Sequence, residues 1–263
     1  MIRDTLFALE TFKLALASIV MAYAAYSDIK TREIEPKLWL LGAVGGAITF
    51  YELYLIGSLS RPLFGLLTLE LTFSLLLLPF FYVSYKLAML GGADMLAYLF
   101  LSLTVPWYPL FLGFRSLTPV PIMTLLYATL LAVGFALVRL IKNLMDPRFR
   151  EFVRSKGVGG LSLIHYAMSG KVIEAKEYLN SKFWYLMHEI KDGEVKKELR
   201  RRVSIDEEPE DHKRALRESI QKGLVGEGEY LMVTYATPFL VYMALGFALA
   251  LIFGDHWVRQ LFS

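Results

Sequence analysis

The sequence of 263 residues contains no cysteine, which excludes disulfide bonds, iron–sulfur clusters, thiolate zinc sites and cysteine nucleophiles. Histidine is also scarce, and its four residues do not have the spacing of metal ligands. The pair His188-Glu189, for example, is not followed by a second histidine at Asp192, as a zincin site requires. Neither a Gly-x-Ser-x-Gly turn nor a phosphate-binding P-loop motif occurs. We therefore expect no metal and no organic cofactor.

Charged residues are also scarce. Charged residues make up 20% of the chain and hydrophobic residues 56%, with a mean hydropathy of +0.46. A soluble domain has an apolar share of about 45–50%, so this composition predicts a membrane protein. The formal net charge of +3 is too small to indicate a nucleic-acid partner.

The charges are also unevenly distributed. Residues 142–230 hold 18 of the 28 Lys and Arg residues and 16 of the 25 Asp and Glu residues. The rest of the chain is nearly free of charge. The sequence therefore predicts a membrane domain that carries one water-exposed segment.

Membrane spans are read from charge-free stretches of about 20 residues, because a charge at the bilayer centre costs at least about 3 kcal/mol. The predicted fold is all-α, with six transmembrane helices over residues 11–27, 38–57, 63–88, 94–114, 119–141 and 230–253. Pro106 and Pro109 should shorten or kink the fourth of these helices, and Gly42 with Gly46 indicates close packing of the second against another helix.

Lys and Arg collect in short cytoplasmic loops, and their distribution fixes the expected orientation. One side of the membrane receives Lys30, Arg32, Lys37, Lys86 and Arg139 together with the 18 cations of the charged segment. The other side receives only Arg3, Arg61, Arg115 and Arg259. We expect both termini to be extracytoplasmic in the cell membrane.

Three regions follow from this orientation. Residues 1–141 hold transmembrane helices 1–5, residues 142–229 form a cytoplasmic soluble insert, and residues 230–263 hold helix 6 and an extracytoplasmic tail. Within the insert, the pattern predicts amphipathic helices over 147–155, 161–190 with a break near Gly170, and 209–222, with a charged stretch around 192–202.

Two aspartates stand at the ends of predicted spans on the cytoplasmic side. Asp28 ends the first span and Asp94 opens the fourth. Acids retained at such positions are functional candidates, because desolvation makes them costly without a partner or a task. The alternative is that each acid only caps its helix, and Asp is a good N-cap for the helix that begins at Asp94.

The sequence around these acids resembles the type IV prepilin peptidase and preflagellin (prearchaellin) peptidase family of GxGD intramembrane aspartyl proteases. In that family one catalytic aspartate ends the first span before a basic loop, as Asp28 does before Lys30-Thr-Arg-Glu-Ile-Glu-Pro36. The other is the aspartate of a GxGD motif, which here reads Gly91-Gly92-Ala93-Asp94, with Ala93 in place of the second glycine. The proline-bearing stretch Thr234-Tyr-Ala-Thr-Pro-Phe-Leu240 and the long insert are similar to archaeal members.

The resemblance implies that Asp28 and Asp94 are catalytic, with the 91–93 backbone as support, and that the substrates are prearchaellins or type IV pilin-like precursors. Family members remove a short basic leader just before a hydrophobic stretch. Glu33 and Glu35 could attract the leader cations, or could be solvated acids that pair with Lys30 or Lys37.

Two carboxylates a few ångström apart can share one proton and act as general base and general acid on a water molecule that attacks a peptide carbonyl. Asp28 lies at a helix C-terminus, where the dipole disfavours its charge, and Asp94 at an N-terminus, where the dipole favours it. The helix dipoles thus predict that Asp94 carries the charge and Asp28 the proton.

Two other functions remain open at this point. A proton-coupled transporter could use the same aspartates as a relay, although transporters place such acids near the bilayer midplane. A membrane scaffold that displays residues 142–230 would need neither acid. Glu52 and Glu70, on the outer parts of the second and third spans, are expected to be structural. The oligomeric state is not predicted.

Overall fold

A computed structural model describes residues 2–87, 90–113, 118–191, 194–200, 203, 207–235 and 237–256. Arg115, Arg259, Asp206, the end of the third predicted span at residue 88 and the tail from residue 257 lie outside these ranges. The chain forms two compact units. The helical unit comprises Met1–Ala132 and Pro238–Ser263, and the mixed unit comprises Val133–Thr237.

The helical unit contains long apolar helices joined by short turns. Within the described ranges, four segments are long and apolar enough to cross a membrane, namely Ile2–Lys30, Pro36–Leu59, Arg61–Lys86 and Val120–Met145, and two apolar helices are shorter. The helices are α1 (Ile2–Lys30), α2 (Leu41–Leu59), α3 (Arg61–Leu76), α4 (Leu78–Lys86), α5 (Gly92–Thr104), α6 (Val120–Met145) and α11 (Phe239–Phe253), with 3₁₀ turns at Pro36–Leu40 and Leu110–Leu112.

Among the described residues there are therefore four helical segments of spanning length and two short helices where six spans are predicted, and the six-span arrangement stays a prediction. The segment over 61–86 is interrupted at Leu77, two residues before Pro79, which has no N–H to donate. Near this break the buried Tyr98 hydroxyl donates to the Ser74 carbonyl at 2.9 Å. The prediction that Pro106 and Pro109 shorten the fourth span is confirmed, since α5 ends at Thr104.

The chain that follows α5 is not helical, yet Val105, Trp107 and Tyr108 are buried. Irregular backbone at membrane depth requires partners from the protein, because lipid offers none. Glu10 of α1 provides one such partner, since both of its carboxylate oxygens accept from the Leu110 N–H at 3.0 Å.

A buried ion pair lies one helical turn further along α1. The Lys13 ammonium pairs with the Glu52 carboxylate of α2 and donates to the Thr49 hydroxyl at 3.0 Å, and it lies 4.8 Å from the ring centroid of Trp107. The Thr49 hydroxyl donates in turn to the Thr104 carbonyl at 3.3 Å, at the end of α5. Glu52 thus has the structural role expected for it, as it connects α1 to α2 beside the broken segment.

Glycines allow α2 to pack closely on α5. A Cβ added at Gly42 would lie 3.3 Å from the Phe100 ring, and one at Gly45 would lie 2.2 Å from the Thr104 hydroxyl. The close packing predicted from Gly42 and Gly46 is confirmed, and Gly45 makes the tightest approach of the three.

The mixed unit combines the end of α6 with short helices and two antiparallel sheets. The elements are α7 (Pro147–Ser155), α8 (Gly160–Ser169), β1 (Gly170–Glu174), α9 (Ala175–Leu179), β2 (Trp184–Leu186), β3 (His188–Lys191), β4 (Glu194–Leu199), α10 (Pro209–Gln221) and β5 (Tyr230–Tyr235). One sheet has the strand order β1-β5-β2 and the other pairs β3 with β4.

These strands correct the prediction of an all-α fold, whereas helices remain the commoner elements among the described residues of the insert. The helices over 147–155, 160–169 and 209–221 form, and the chain breaks at Gly170 as expected, but most of the described chain from 170 to 199 is strand. A second correction concerns the last predicted span, because residues 230–235 form a strand and the helix begins only at Phe239.

The pairing of distant segments explains both corrections. β1 pairs with β5 from Gly170 opposite Thr234 to Glu174 opposite Tyr230, and this pairing buries Leu231, Met232 and Val233. A run of buried apolar residues is ambiguous between strand and helix when only local sequence is considered.

Two buried histidines stabilise this unit in their neutral form. His188 accepts from the Met232 N–H at Nε2, at 3.2 Å, and its Nδ1 faces the Lys196 carbonyl at 3.0 Å. His212 accepts from the Leu186 N–H at Nδ1, at 3.1 Å, and its Nε2 lies 2.6 Å from Glu207. Burial lowers the pKa of His188 to about 4 and also lowers the pKa of His212.

Acid should therefore weaken the mixed unit through His188. The pKa of this imidazole is depressed in the folded chain, so its contribution is complete above the ordinary value of 6.5 and is lost as the pH falls toward about 4. We expect amide exchange at Met232, corrected for intrinsic rates, to become faster as the pH falls through this window. The free energy of opening obtained from it should decrease by up to about 3 kcal/mol. The variant His188→Gln should flatten the pH dependence, whereas His165→Gln, at an exposed histidine, should preserve it. Exchange at Met232 that stayed constant between pH 6.5 and 4 would contradict this account.

Candidate active site

Asp28 lies in the last turn of α1, at the point where this helix meets the beginning of α11. Its Oδ2 accepts from the backbone N–H of Leu240 at 3.2 Å, in the first turn of α11. Its Oδ1 lies 3.5 Å from the Arg32 guanidinium, and both side chains are only 14% exposed. The carboxylate thus caps the N-terminus of one helix while it ends another.

Arg32 reaches Asp28 because the backbone turns sharply behind α1. Arg32 has a φ of 61°, in the left-handed region that non-glycine residues rarely adopt. This conformation ends the helix and returns the guanidinium to the residue four positions earlier. Strained backbone of this kind occurs often at functional sites.

Asp94 is the third residue of α5, and the N-cap position belongs to Gly91. Its carboxylate reaches back to the Gly91 backbone N–H, in the manner of a capping box. A Cβ built at Gly91 would lie 3.0 Å from Asp94 Oδ2. Gly91 has an ordinary φ of −69°, so the small size of this residue is what the site uses.

The space around Gly92 and Ala93 also explains why these residues are small. A Cβ at Gly92 would lie 3.3 Å from the Tyr85 ring. Ala93 packs its methyl group against the apolar core of the helical unit. An alanine therefore fits here where the GxGD pattern has glycine.

The two carboxylates are close enough for Asp28 to act electrostatically on Asp94. The surrounding core includes three buried residues, Ala24 of α1, Trp39 of the Pro36–Leu40 turn and Ala97 of α5. The helix dipoles predict that Asp94 carries the charge and Asp28 the proton, but this division takes account only of the helix to which each acid belongs. The Arg32 guanidinium and the Leu240 N–H both stabilise a negative charge on Asp28, and they therefore oppose that division.

Glu33 and Glu35 lie on the exposed turn between α1 and the Pro36–Leu40 turn. Glu35 is 3.6 Å from Lys37, and both side chains are largely in water, which matches the pairing considered as the alternative to a leader contact. Such exposed pairs contribute little. Neither acid contacts Asp28 in the hydrogen bonds and ion pairs of the described residues.

Sequence reasoning missed Arg32 and Leu240 as partners of Asp28. The signal for Arg32 was its position four residues after Asp28, a spacing at which side chains often meet, although here the left-handed turn at Arg32 brings the guanidinium back to Asp28. The signal for Leu240 was Pro238, since proline is frequent at the beginning of a helix, where free N–H groups attract an anion.

In the part of the chain that the structure describes, no group of three or more His, Asp or Glu residues has the geometry of a metal site. The groups described at the site are two carboxylates, one guanidinium and the backbone N–H of Leu240 at the beginning of α11. Such a set can activate water by general acid–base chemistry.

These features define a membrane protein with an acid pair between apolar helices. The model of the type IV leader peptidase family matches residues 15–137, and the model of the archaeal peptidase A24 C-terminus, type II, matches residues 162–256. Together they match most of the chain, and the protein belongs to the type IV leader peptidase family, which comprises the prepilin and preflagellin peptidases. No curated protein matches the chain.

The contact between Gly91 and Asp94 generates a prediction about the site. Gly91→Ala should preserve the fold, because its φ suits alanine, but should displace the Asp94 carboxylate. We expect peptidase activity to fall about 10- to 100-fold, since a displacement of 1 Å at a catalytic group can have this effect. Gly65→Ala is the matched control, because a Cβ there meets nothing within 4 Å. Equal activities of the two variants on a leader-bearing precursor would show that the space at residue 91 is unimportant.

Proposed function

We propose that this protein is an aspartic endopeptidase of the membrane, which removes the basic leader of prearchaellins or type IV pilin-like precursors. The observation that carries the proposal is that Asp28, at the end of α1, and Asp94, in the first turn of α5, lie beside one buried core that includes Ala24 and Ala97, close enough to interact electrostatically. Membership of the leader peptidase family supports the substrate class.

In the proposed reaction Asp28 is the general base. Its charge is stabilised by Arg32 and by the Leu240 N–H, so it can accept a proton from a water molecule that attacks the scissile carbonyl. Asp94 holds the shared proton and donates it to the leaving amide nitrogen. The titration belongs to the pair, since the two groups interact.

The position of the pair constrains how a substrate binds. Asp28 is two residues from the end of α1, and Asp94 is two residues from the beginning of α5. Carboxylates at helix ends act on a peptide bond near the membrane surface rather than at the midplane. We place this surface on the cytoplasmic side, because the adjacent turn carries Lys30, Arg32 and Lys37, with both termini extracytoplasmic.

A leader with a basic segment followed by a hydrophobic segment suits this position. Its hydrophobic segment enters the bilayer among the apolar helices, and its cations stay at the surface. Glu33 and Glu35, exposed on the turn that follows Asp28, are the acids we propose to attract them.

The catalytic proposal is tested with the purified full-length protein and a leader-bearing archaellin or pilin. Asp28→Asn and Asp94→Asn preserve side-chain shape and remove the titratable group, so each should reduce cleavage by about 100-fold or more. Asp146→Asn is the matched control, because Asn also caps the helix that begins at Pro147, and its activity should be unchanged.

The same variants distinguish the alternatives. Full cleavage by either the Asp28 or the Asp94 variant would refute the acid-pair mechanism. A proton-coupled transporter would instead show ion or solute flux in vesicles that these substitutions abolish, without cleavage. A scaffold would show neither activity.

The leader contact is tested by charge reversal. Glu33→Lys combined with Glu35→Lys should raise KM for a basic leader about fivefold and leave kcat nearly unchanged, because exposed charges contribute about 1 kcal/mol or less. The control is Glu174→Lys with Glu218→Lys, which alters net charge equally at exposed positions of the mixed unit. An unaltered KM in the first variant would remove these two acids from substrate binding.

A further inference from the structure

A basic pocket of about 350 Å³ lies within the mixed unit. Its cations come from two elements that are distant in sequence, Arg139 and Lys142 on α6 and Lys171 on β1. Trp184, at the beginning of β2, forms part of the same wall. None of these residues has a role in the proposed cleavage.

The cations are held by the surrounding structure. The Arg139 guanidinium donates to the Ser169 carbonyl at 3.2 Å and lies 5.6 Å from the ring centroid of Phe135. The Lys171 ammonium lies 5.6 Å from the ring centroid of Trp184. These contacts restrict the rotamers, so less entropy is lost when an anion binds.

The base of the pocket is rigid as well. Asn143 is buried, and its amide donates to the Ala167 and Gly170 carbonyls, both at 2.8 Å. These bonds join α6 to α8 and β1, so the segments that carry the three cations move as one body.

Among the described residues that line the pocket one is an acid, and this acid already has a partner. The Asp146 carboxylate accepts from the Arg148 backbone N–H at 2.9 Å, as the N-cap of α7. Lys171 also lies 3.4 Å from Glu177, in an exposed pair that is weak in water. Three cations against one lining acid leave the pocket positive, and it therefore suits an anion.

The helix α6 relates the pocket to the membrane. This helix begins at Val120 and is continuous to Met145. About 20 residues of helix cross the hydrocarbon, so Arg139 stands where the hydrocarbon ends and Lys142 stands about 5 Å further, among the headgroups. Phe135 and Val138 on the same wall are half exposed, at 53% and 49%. Their apolar surface faces the depth at which glycerol and the first acyl carbons lie.

We infer that this pocket binds the phosphate headgroup of an anionic phospholipid. Three cations bind the phosphodiester, Trp184 lies at the interface as tryptophan commonly does, and Phe135 with Val138 contacts the lipid chains. A free phosphate ion would use the cations but not the apolar wall. A basic leader peptide would be repelled by the same charges.

The test uses the full-length protein in a neutral detergent, with dioctanoyl phosphatidylglycerol as the probe and native mass spectrometry to count bound lipid. We expect one saturable site. Arg139→Gln, Lys142→Gln and Lys171→Gln combined should weaken it about 100-fold, because each cation near an anionic lipid contributes about 1 kcal/mol. The matched control removes three exposed cations of α10 and its end, Arg214→Gln, Arg217→Gln and Lys222→Gln, and should bind like the parent protein.

Comparison ligands separate the sources of the anion. Dioctanoyl phosphatidylcholine, whose headgroup has no net charge, should bind much more weakly, and sodium phosphate at the lipid concentration should not displace the probe. Lys142→Glu, at an exposed position that leaves the fold intact, should weaken binding on its own.

Three results would overturn the inference. One is equal affinity of the triple variant and its matched control, which would make the binding non-specific. Another is displacement of the lipid by sodium phosphate or by a basic leader peptide at equal concentration. The third is an unchanged affinity of Lys142→Glu, which decides the matter if the triple variant fails to fold.

Discussion

The helical unit depends on the partners that its buried charged side chains find among the apolar helices. Asp28 meets this constraint with two partners, the Arg32 guanidinium and the Leu240 N–H. A carboxylate without such partners is expensive in a dry environment. Because one partner belongs to the first turn of α11, the same hydrogen bond joins α1 to α11.

The same constraint governs the opposite half of α1. Where α5 stops at Thr104, the chain continues without helical hydrogen bonds, and Glu10 and the Lys13–Glu52 pair lie beside it. These four charged side chains therefore each lie beside a helix end or an interruption of the helical chain. The glycines of α2 let α5 approach closely enough for the contact between Thr49 and Thr104.

The sequence was informative wherever a single property decided the structure. Charge-free runs predicted the long apolar helices, Pro106 predicted the shortened α5, and Gly42 with Gly46 predicted close packing. Asp28 and Asp94 were identified as a pair because both stand at span ends. Local patterns failed where the partner was remote: β1 and β5 lie about 60 residues apart, and Asp28 meets Leu240 across 212 positions. The sequence also gave no sign that Arg32 would adopt a left-handed backbone.

The short length of α5 has a consequence for its response to the thickness of the bilayer. α5 has 13 residues and is about 20 Å long, less than the 30 Å of an average hydrocarbon layer. None of its residues is exposed, so protein and not lipid surrounds this helix. The buried chain beyond Thr104 continues the segment without helical hydrogen bonds. Because hydrophobic mismatch acts where helices touch lipid, membranes with shorter or longer acyl chains should deform the outer helices and leave the helix that carries Asp94 nearly unchanged.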